Sequence, residues 1–258
     1  MEKIKVSIII KSLNEEALIE KCITSVINGV KAEGVHFKSE IILVDSLSTD
    51  NTVSIARNHP IKIVQFANKK DVSCGAAPQL GYQYSKGEYI YLLDGDMELC
   101  EGFLEQGLKH LKENSNIAGV GGKLLDTQIF SAEDQRRVDA YDKIKEMEFV
   151  SHLGGGGLYR KNSIESVIYF SHRGLKAFEE AELGLRLKNK NWDIVRINQN
   201  AALHTGYVET GLERLRRLWK NGRLHAHGIF LRSSFGQGWW WAAVRHLWFV
   251  FAPIIINI

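Results

Sequence analysis

Two carboxylates separated by one glycine, Asp94 and Asp96, follow an unbroken hydrophobic segment of the chain. The preceding residues, YIYLL at 89–93, are typical of a buried strand, where an acidic group is costly to desolvate. Carboxylate oxygens are good ligands for Mg²⁺ and Mn²⁺, which commonly join one or two carboxylates to phosphate groups. Gly95 would let the backbone approach such a phosphate closely. The alternative is an ordinary polar turn, because Asp and Gly are frequent in turns.

The elements that must position this turn alternate between strand and helix as far as about residue 125. We predict strands at 4–10, 40–45, 61–66, 89–93 and 117–125, with helices between them, the first of which is capped by Asn14. This order predicts an α/β fold with an open, mostly parallel sheet flanked by helices. Such sheets bind ligands at the carboxyl ends of their strands. We therefore expect the polar residues after these ends to converge, namely Asn14, Glu15, Asp45, Asp94 and Asp96.

The second half of the chain is less regular. We predict a charged helix over 131–149, a glycine-rich turn into a short strand over 154–161, a helix over 178–192 and a strand over 193–197. Residues 208–232 are predicted to be helical and basic, and the last twenty residues are almost wholly apolar.

Composition narrows the class of protein. The chain has 258 residues, with 45% hydrophobic and 24% charged, as expected for a globular protein. A net charge of +3 gives no sign of a nucleic-acid-binding protein. Three cysteines without a close pair argue against a disulfide scaffold and favour a reducing cytosol. The first residues read as a strand and not as a signal peptide.

Four segments resemble family-2 glycosyltransferases in their order and spacing: VSIIIKSLNEE, IILVDSLSTDNT, SKGEYIYLLDGDMEL and AFEEAELGLRLKNKNW. The resemblance covers roughly residues 4–205 and implies an inverting enzyme with the GT-A fold, a Rossmann-like variant of the predicted sheet. It further implies that Asp96 ligates Mn²⁺ or Mg²⁺ and that Asp94 contacts the ribose or the metal shell. Asp45 would recognise the base, typically uracil, while Asn14 and Glu15 would border the nucleotide pocket. Alternatively, Asp45 caps a turn and Asn14 only caps its helix.

The same resemblance places Glu179 and Glu180 at the position of the general base. An inverting transfer needs a carboxylate that takes the proton of the acceptor hydroxyl. The family usually carries Glu-Asp here, so Glu180 is a departure, although Asp and Glu have similar acidity. The alternative is a favourable acidic start to a helix. Glu182 should project away, since it lies about 200° round an ideal helix from Glu180.

Two further residues are candidates by resemblance. His204 would be an additional metal ligand, or else a histidine satisfied by hydrogen bonds. Arg160 would contact the acceptor, or else lie on the surface at a strand end.

Some family features are missing. Pro78 and Gln79 replace a common Arg-Asn pair, and the Gln-x-x-Arg-Trp element of processive synthases is absent. We therefore favour transfer of a single sugar.

The C-terminal segment has a membrane-surface pattern. Basic helical residues precede a Trp-rich apolar stretch, and Lys, Arg and Trp suit the interface with anionic headgroups. Arg245, His246 and Pro253 interrupt the stretch, so interfacial seating is favoured over a transmembrane helix. A helix buried on its own domain or on a dimer partner is the alternative. We thus expect a GT-A domain over 1–206, with its nucleotide half at 1–125 and its acceptor half at 126–206, and a membrane-associating appendage over 207–258.

Together these features predict a metal-dependent glycosyltransferase on the cytoplasmic face of a membrane. It would move a sugar from a nucleotide donor, typically UDP-linked, to a lipid-linked saccharide or surface-glycan precursor, and self-association stays open. A nucleotidyltransferase is one rival, disfavoured because KSLNEE stands where a glycine-rich, basic phosphate loop is expected. A non-catalytic scaffold that binds sugar nucleotides is the other.

Overall fold

The computed structural model describes residues 4–32, 38–128, 132–206 and 211–248. Its first half alternates strand and helix as predicted. The elements are β1 Ile4–Ser12, α1 Ile19–Ala32, β2 Lys38–Asp45, α2 Thr52–Ala56, β3 Lys62–Gln65, α3 Ala76–Tyr84, β4 Tyr89–Asp94, β5 Met97–Leu99, α4 Phe103–Glu113 and β6 Ile117–Asp126.

The second half adds three strands and six helices within the described residues. They are α5 Ala132–Asp142, β7 Met147–Phe149, β8 Gly157–Arg160, α6 Lys161–Ser166, α7 Glu179–Asn189, β9 Asp193–His204, α8 Gly211–Lys220, α9 Ala226–Ser234 and α10 Trp240–His246. Residues 208–210 of the predicted basic helix and 249–258 of the apolar stretch lie outside the described part of the chain.

All nine described strands join one mixed sheet in the order β3-β2-β1-β4-β8-β6-β9-β5, with β7 paired to β9. Strands β1 to β4 run parallel, while β8 is antiparallel to both β4 and β6. The sheet is buried on both faces, which explains the unbroken apolar runs in the central strands. One face packs under α1 and α4, and the other under α3 and α7.

Four predicted boundaries differ from the structure. The first helix begins at Ile19, so Asn14 does not cap it, and the predicted helix over 131–149 ends at Asp142 before β7. Strand β9 continues to His204 instead of ending at 197, and β5 was not predicted. The extension of β9 matters for function because pairing with β5 brings its last residue opposite Met97, next to Asp96.

The appendage packs against the start of α7 and the segment before it. Phe230 of α9, Trp239 just before α10 and Ala243 of α10 share a buried cluster with Leu175, and Phe178 and Leu185 pack against that cluster. The start of α7 is thus held partly by the appendage.

Candidate active site

The carboxyl ends of the central strands meet at one edge, as the sequence predicts. In register, Lys11 of β1 lies beside Asp94 of β4, and Ser12 lies beside Asp45 of β2. The turn after β4 packs closely on the end of β1: the Gly95 amide donates to the Lys11 carbonyl at 2.8 Å, and a Cβ at residue 95 would lie 3.1 Å from that oxygen. Glycine in this turn therefore serves close packing between two strand ends.

Lys11 is the residue that connects the predicted site, and the sequence analysis missed it. Its Nζ lies 2.8 Å from Asp94 Oδ1, 3.8 Å from Glu180 Oε1 and 4.0 Å from Glu179 Oε1. The side chain is only 14% exposed. Burial alone would lower the pKa of Lys11, but the carboxylates of Asp94, Glu180 and Glu179 outweigh it and hold the pKa above its usual range. A charged lysine therefore links the predicted metal-binding turn to the predicted base.

The predicted base begins helix α7. Glu179 and Glu180 are its first two residues, and Phe178 before them has a left-handed backbone (φ 68°) and stacks 4.9 Å from the ring of His227. Glu180 lines a small cavity with apolar side chains that include Leu92, Tyr159, Phe170 and Leu183. Burial and the neighbouring charge of Glu179 raise the pKa of Glu180 to about 8, and Lys11 opposes the rise. Such a carboxyl is well suited to take a proton near neutral pH.

Glu182 points elsewhere, as predicted, and is structural. Its carboxylate is fully buried and accepts two bonds from Arg186, each 2.8 Å, and one from the Tyr169 hydroxyl at 2.6 Å. Arg186 also donates to the carbonyls of Val167, Tyr169 and Phe170. The pair therefore fixes the chain that forms one wall of the Glu180 cavity.

Gln79, at a position where the resemblance left the substrate contact in doubt, supports the same wall. Its side-chain oxygen accepts the amides of Phe170 and Ser171 at 2.9 and 3.0 Å. The Ser171 hydroxyl is buried and has no hydrogen-bond partner in the described structure. Gln79 thus positions two residues that line the cavity beside Glu180.

The His204 ring at the end of β9 has a carboxylate near each of its nitrogens: Asp96, just before β5, and Asp126, at the end of β6. His204 Nε2 lies 3.5 Å from Asp96 Oδ2, and Nδ1 lies 2.7 Å from Asp126 Oδ1. The hydrogen bond to Asp96 raises the pKa of His204 to about 9, with a further contribution from Asp126 and against the effect of burial. Asp126 was not predicted, because only the full length of β9 brings it beside His204.

These residues fit a divalent cation. Asp96 Oδ1 is buried and lacks a hydrogen-bond partner among the described residues. A histidine that binds a metal through one ring nitrogen usually hydrogen-bonds to a carboxylate through the other nitrogen. Asp126 is in this position next to Nδ1 of His204. No three His, Cys, Asp or Glu side chains already surround a common point within the ranges that the structure describes. Asp96 and His204, with Asp94 nearby, would therefore have to close on a cation as it binds.

Asn14, Glu15 and Asp45 lie at the same edge but are engaged in loop structure. The Asn14 side chain accepts the Thr49 amide at 2.8 Å, so it joins two loops instead of capping α1. The Glu15 amide donates to the Thr52 hydroxyl. Asp45 is fully buried, and one carboxylate oxygen accepts from the amides of Leu47 and Ser48 and from Gln65 Nε2 at 3.1–3.2 Å. The turn-capping alternative for Asp45 is thus realised in the structure.

Arg160 is not near this edge, which corrects the predicted acceptor contact. It pairs with Tyr89, the first residue of β4, whereas Asp94 is the last. Its guanidinium donates to the carbonyls of Leu111, Asn114 and Ile117, at the end of α4 and just beyond it. Arg160 therefore satisfies carbonyl groups at the end of α4, beside the amino end of β4 and away from Asp94.

Comparison with protein families agrees with this arrangement. Residues 7–166 match the model described as "Glycosyl transferase family 2". A relative from Staphylococcus aureus (strain N315), "Poly(ribitol-phosphate) beta-N-acetylglucosaminyltransferase TarP", is 28% identical over 54% of this chain and 44% of its own length. A Campylobacter jejuni relative, "GalNAc(5)-diNAcBac-PP-undecaprenol beta-1,3-glucosyltransferase", is 33% identical over 47% of this chain and 38% of its own length. The chain thus spans less than half of either relative.

Solved structures share the fold. S. aureus TarS 1–349 in complex with UDP-GlcNAc aligns with a TM-score of 0.63 and 17% identity, over 88% of this chain and 67% of that one. The mannosyltransferase PcManGT from Pyrobaculum calidifontis, in complex with GDP-Man and Mn²⁺, aligns with a TM-score of 0.63 and 17% identity, over 90% and 64%. The curled mixed sheet with its flanking helices is therefore of the GT-A type.

Proposed function

Because the chain belongs to glycosyl transferase family 2, we propose that it is a metal-dependent, inverting transferase that uses a nucleotide sugar, typically UDP-linked. The acceptor would be a hydroxyl of a lipid-linked saccharide or of a surface-glycan precursor. The printed names of the relatives support this class of acceptor: one acts on poly(ribitol phosphate) and another on a diphosphate-linked undecaprenol saccharide. The neighbours bound to UDP-GlcNAc and to GDP-Man with Mn²⁺ support the class of donor and cofactor.

One observation carries the proposal. Glu180 and Asp94 lie on either side of the Lys11 ammonium, at 3.8 and 2.8 Å. A predicted base and a predicted donor carboxylate, about 86 residues apart in sequence, are thus held within one charged cluster at the carboxyl edge of the sheet. A sugar that spans this cluster would have its donor side at Asp94 and its acceptor side at Glu180.

The proposed chemistry assigns a role to each residue. Glu180 takes the proton of the acceptor hydroxyl as that oxygen attacks the anomeric carbon. Asp96, Asp94 and His204 would hold Mn²⁺ or Mg²⁺, which neutralises the leaving diphosphate. Lys11 keeps Glu180 closer to its charged form and balances the carboxylates until donor arrives. Transfer of one sugar per encounter remains our expectation.

The nucleotide pocket would lie beside the loops after β1 and β2. Asn14 and Glu15 border it in this proposal. For Asp45 to recognise a base directly, the ring N–H would have to replace one of its present donors. The Gln65 side chain is the plausible one to leave, because Gln65 is exposed whereas the turn amides belong to the backbone.

We further propose that the appendage seats the enzyme on an anionic membrane surface, at the cytoplasmic face. Helix α8 exposes Leu212, Leu215 and Trp219 on one stripe, and Trp219 is 67% exposed. Arg216 and Lys220 flank this stripe at helical spacing and are also exposed. No helix within the described residues is both long and apolar enough to cross a bilayer.

Sedimentation with vesicles tests this seating. Trp219→Ser should reduce binding to vesicles that contain phosphatidylglycerol, and high salt should reduce it further. Phe149→Ser is the matched control, since Phe149 on β7 is equally exposed at 67%. Equal binding of all three proteins would refute the assigned surface.

Turnover of a panel of α-linked nucleotide sugars with Mn²⁺ tests the reaction itself. The proposal expects release of nucleoside diphosphate, a β-linked product by NMR, and loss of both in Glu180→Gln. Release of inorganic diphosphate from UTP and a sugar 1-phosphate, without transfer from any nucleotide sugar, would instead indicate a nucleotidyltransferase. Donor binding without turnover in the wild type would indicate the scaffold.

A further inference from the structure

One arginine of the appendage hydrogen-bonds to loops beside the candidate active site. Arg223 begins a short 3-10 turn, Arg223–His225, between α8 and α9. Its Nε donates to the Lys176 carbonyl at 3.2 Å, and its Nη2 donates to Cys74 Sγ at 3.1 Å. Lys176 precedes the start of α7 by three residues, and Cys74 precedes α3 by two. Arg223 thus bridges the loops in front of two helices that border the Glu180 cavity.

A second cation, the Lys176 ammonium group, lies against Gly222, the residue before Arg223. A Cβ at Gly222 would lie 2.8 Å from Lys176 Nζ, and Gly222 has a left-handed backbone (φ 66°). A side chain at this position would therefore have a strained backbone and would displace the ammonium group. The glycine leaves room for Lys176 beside Arg223.

The partners of these two cations are neutral. Within the described residues, neither Arg223 nor Lys176 has a carboxylate within 4 Å, although both are half-buried. Half-buried positive charge without a close counter-charge is costly. The Arg223 N–H groups that do not bind Lys176 or Cys74, together with the Lys176 ammonium, are suited to a phosphate group. The pair is thus arranged for an anion.

Arg223 and Lys176 lie on the same side of the site as Glu180, the proposed base. The charges of Glu179 and Glu180 are close enough to contribute to a raised pKa of Arg223, after Cys74 and against burial. Those two carboxylates already have Lys11 at 3.8–4.0 Å as their nearest cation. The base must lie next to the acceptor hydroxyl, so a group bound near Glu180 belongs to the acceptor side.

We propose that Arg223 and Lys176 form an anion subsite that binds a phosphate group of the acceptor, either a phosphodiester or a lipid-linked diphosphate. The assignment of this phosphate to the acceptor rests on the proposed function. The subsite also gives the appendage a second role: it carries a substrate-binding residue to the catalytic edge. A donor diphosphate is the other source of the same chemistry.

Binding measurements separate these sources. Glycerophosphoglycerol, a phosphodiester that lacks a nucleoside, is titrated into the full chain by calorimetry, with triglycerol as the uncharged comparison. UDP with Mn²⁺ is titrated in parallel. The test variants are Arg223→Gln and Lys176→Gln. The control is Arg57→Gln, which makes the same change of charge at an exposed residue that directly follows α2. Lys176→Gln removes no hydrogen bond described for its side chain, so it keeps the test valid where Arg223→Gln disturbs folding.

The expected result is binding of the phosphodiester but not of triglycerol, weakened about tenfold or more by Arg223→Gln and by Lys176→Gln. Arg57→Gln should bind as the wild type does, and UDP with Mn²⁺ should bind all four proteins equally. Weakened UDP binding with unchanged phosphodiester binding would overturn the acceptor assignment in favour of the donor diphosphate. Unchanged binding of both ligands would overturn the subsite. Arg223-dependent phosphodiester binding in a protein that never binds UDP would support the subsite while rejecting the proposed function.

Discussion

Glu180 is a carboxyl group whose surroundings favour its neutral form. Burial and Glu179 raise its pKa, while Lys11 and a backbone hydrogen bond oppose them. A free enzyme with this group should therefore gain activity as the pH rises through the value at which Glu180 ionises.

We predict that kcat/KM rises with pH to a plateau above about 8, because the base must be deprotonated in the free enzyme. Glu180→Gln should lower kcat by about 10²–10⁴-fold and leave donor binding unchanged. Glu180→Asp should retain partial activity, since it preserves the carboxylate. The measurement is steady-state kinetics from pH 5.5 to 9.5. A Glu180→Gln enzyme with the wild-type profile would show that another group is the base.

Lys11 should contribute to both stability and the pH profile. Lys11→Met leaves three clustered carboxylates without their cation, and we expect a loss of about 2–4 kcal/mol of unfolding free energy at pH 8. The loss should shrink at low pH, where the carboxylates take up protons, and the rise of kcat/KM should move to higher pH.

Urea unfolding at pH 8 and pH 5 measures the first effect. Lys5→Met on the same strand is the control, because Lys5 makes a partly exposed pair with Glu88 at 3.8 Å and lies 5.8 Å from the centre of the Tyr89 ring. This variant should cost less than about 1 kcal/mol. Equal losses for the two variants would contradict a central role for Lys11.

The residues of the site were predictable to different degrees. Asp94 and Asp96 follow an apolar run, so pattern alone places them at the carboxyl ends of the strands, whereas Glu180 was assigned through the family resemblance. Lys11 lies near the end of a strand, which is an ordinary position for a lysine. Its three carboxylate partners come from β4 and α7, and no local sequence pattern shows that these two elements meet. The position of Arg160 was predicted wrongly because the short strand β8 runs antiparallel to β4. Arg160, the last residue of β8, therefore lies beside the first residue of β4 and away from the site.

At the scale of elements, α7 depends on a buried ion pair for its position. Glu182 and Arg186 are four residues apart on α7, and Arg186 lies over the Tyr169 ring at 3.8 Å as well as binding three carbonyls. Removal of either partner leaves polar groups buried without compensation.

We predict that Arg186→Met destabilises the protein by about 3–5 kcal/mol and more than Glu182→Gln does, since only arginine satisfies the carbonyls of Val167, Tyr169 and Phe170. The double variant should lose less than the sum of the two single losses, because the pair is coupled. Chemical denaturation of the four proteins measures the cycle. Strict additivity would contradict the coupling.

Element boundaries were predictable where hydrophobic runs were continuous. Strands β1, β2 and β4 are buried on both faces and were located to within two residues. Strand β9 was shortened in prediction because polar Asn198, Gln199 and Asn200 interrupt its apolar pattern, although pairing with β6 and then β5 continues to His204. Strand β5 has three residues and no pattern of its own.

At the scale of the molecule, the appendage and the catalytic domain meet around histidines. His152, in the loop before β8, lies 5.9 Å from His246 of α10, ring to ring, and its Nδ1 is 2.9 Å from the Ser151 hydroxyl. Burial lowers the pKa of His152 to about 4, and the nearby charges of His246, Arg196 and Lys188 add to the effect.

This depressed pKa predicts a loss of stability in acid. Between about pH 6.5, the unfolded value, and about pH 4, the unfolded chain binds the proton and the folded chain does not. The contribution of His152 to stability is thus complete above pH 6.5 and is lost as the pH falls towards 4. His152→Gln should reduce the change in urea midpoint between pH 7 and pH 4.5. An unchanged difference would refute the role of His152.

The overall account depends on a donor site that closes on a cation, and ligand-induced stabilisation tests it most directly. Thermal unfolding of the wild type and of Asp96→Asn is measured with a panel of nucleotide sugars, each with and without Mn²⁺. A ligand that binds only the folded protein raises its melting temperature. We predict that UDP-sugars stabilise the wild type only when Mn²⁺ is present and that Asp96→Asn abolishes this shift. Failure of every nucleotide sugar to stabilise the wild type in either condition would contradict the account.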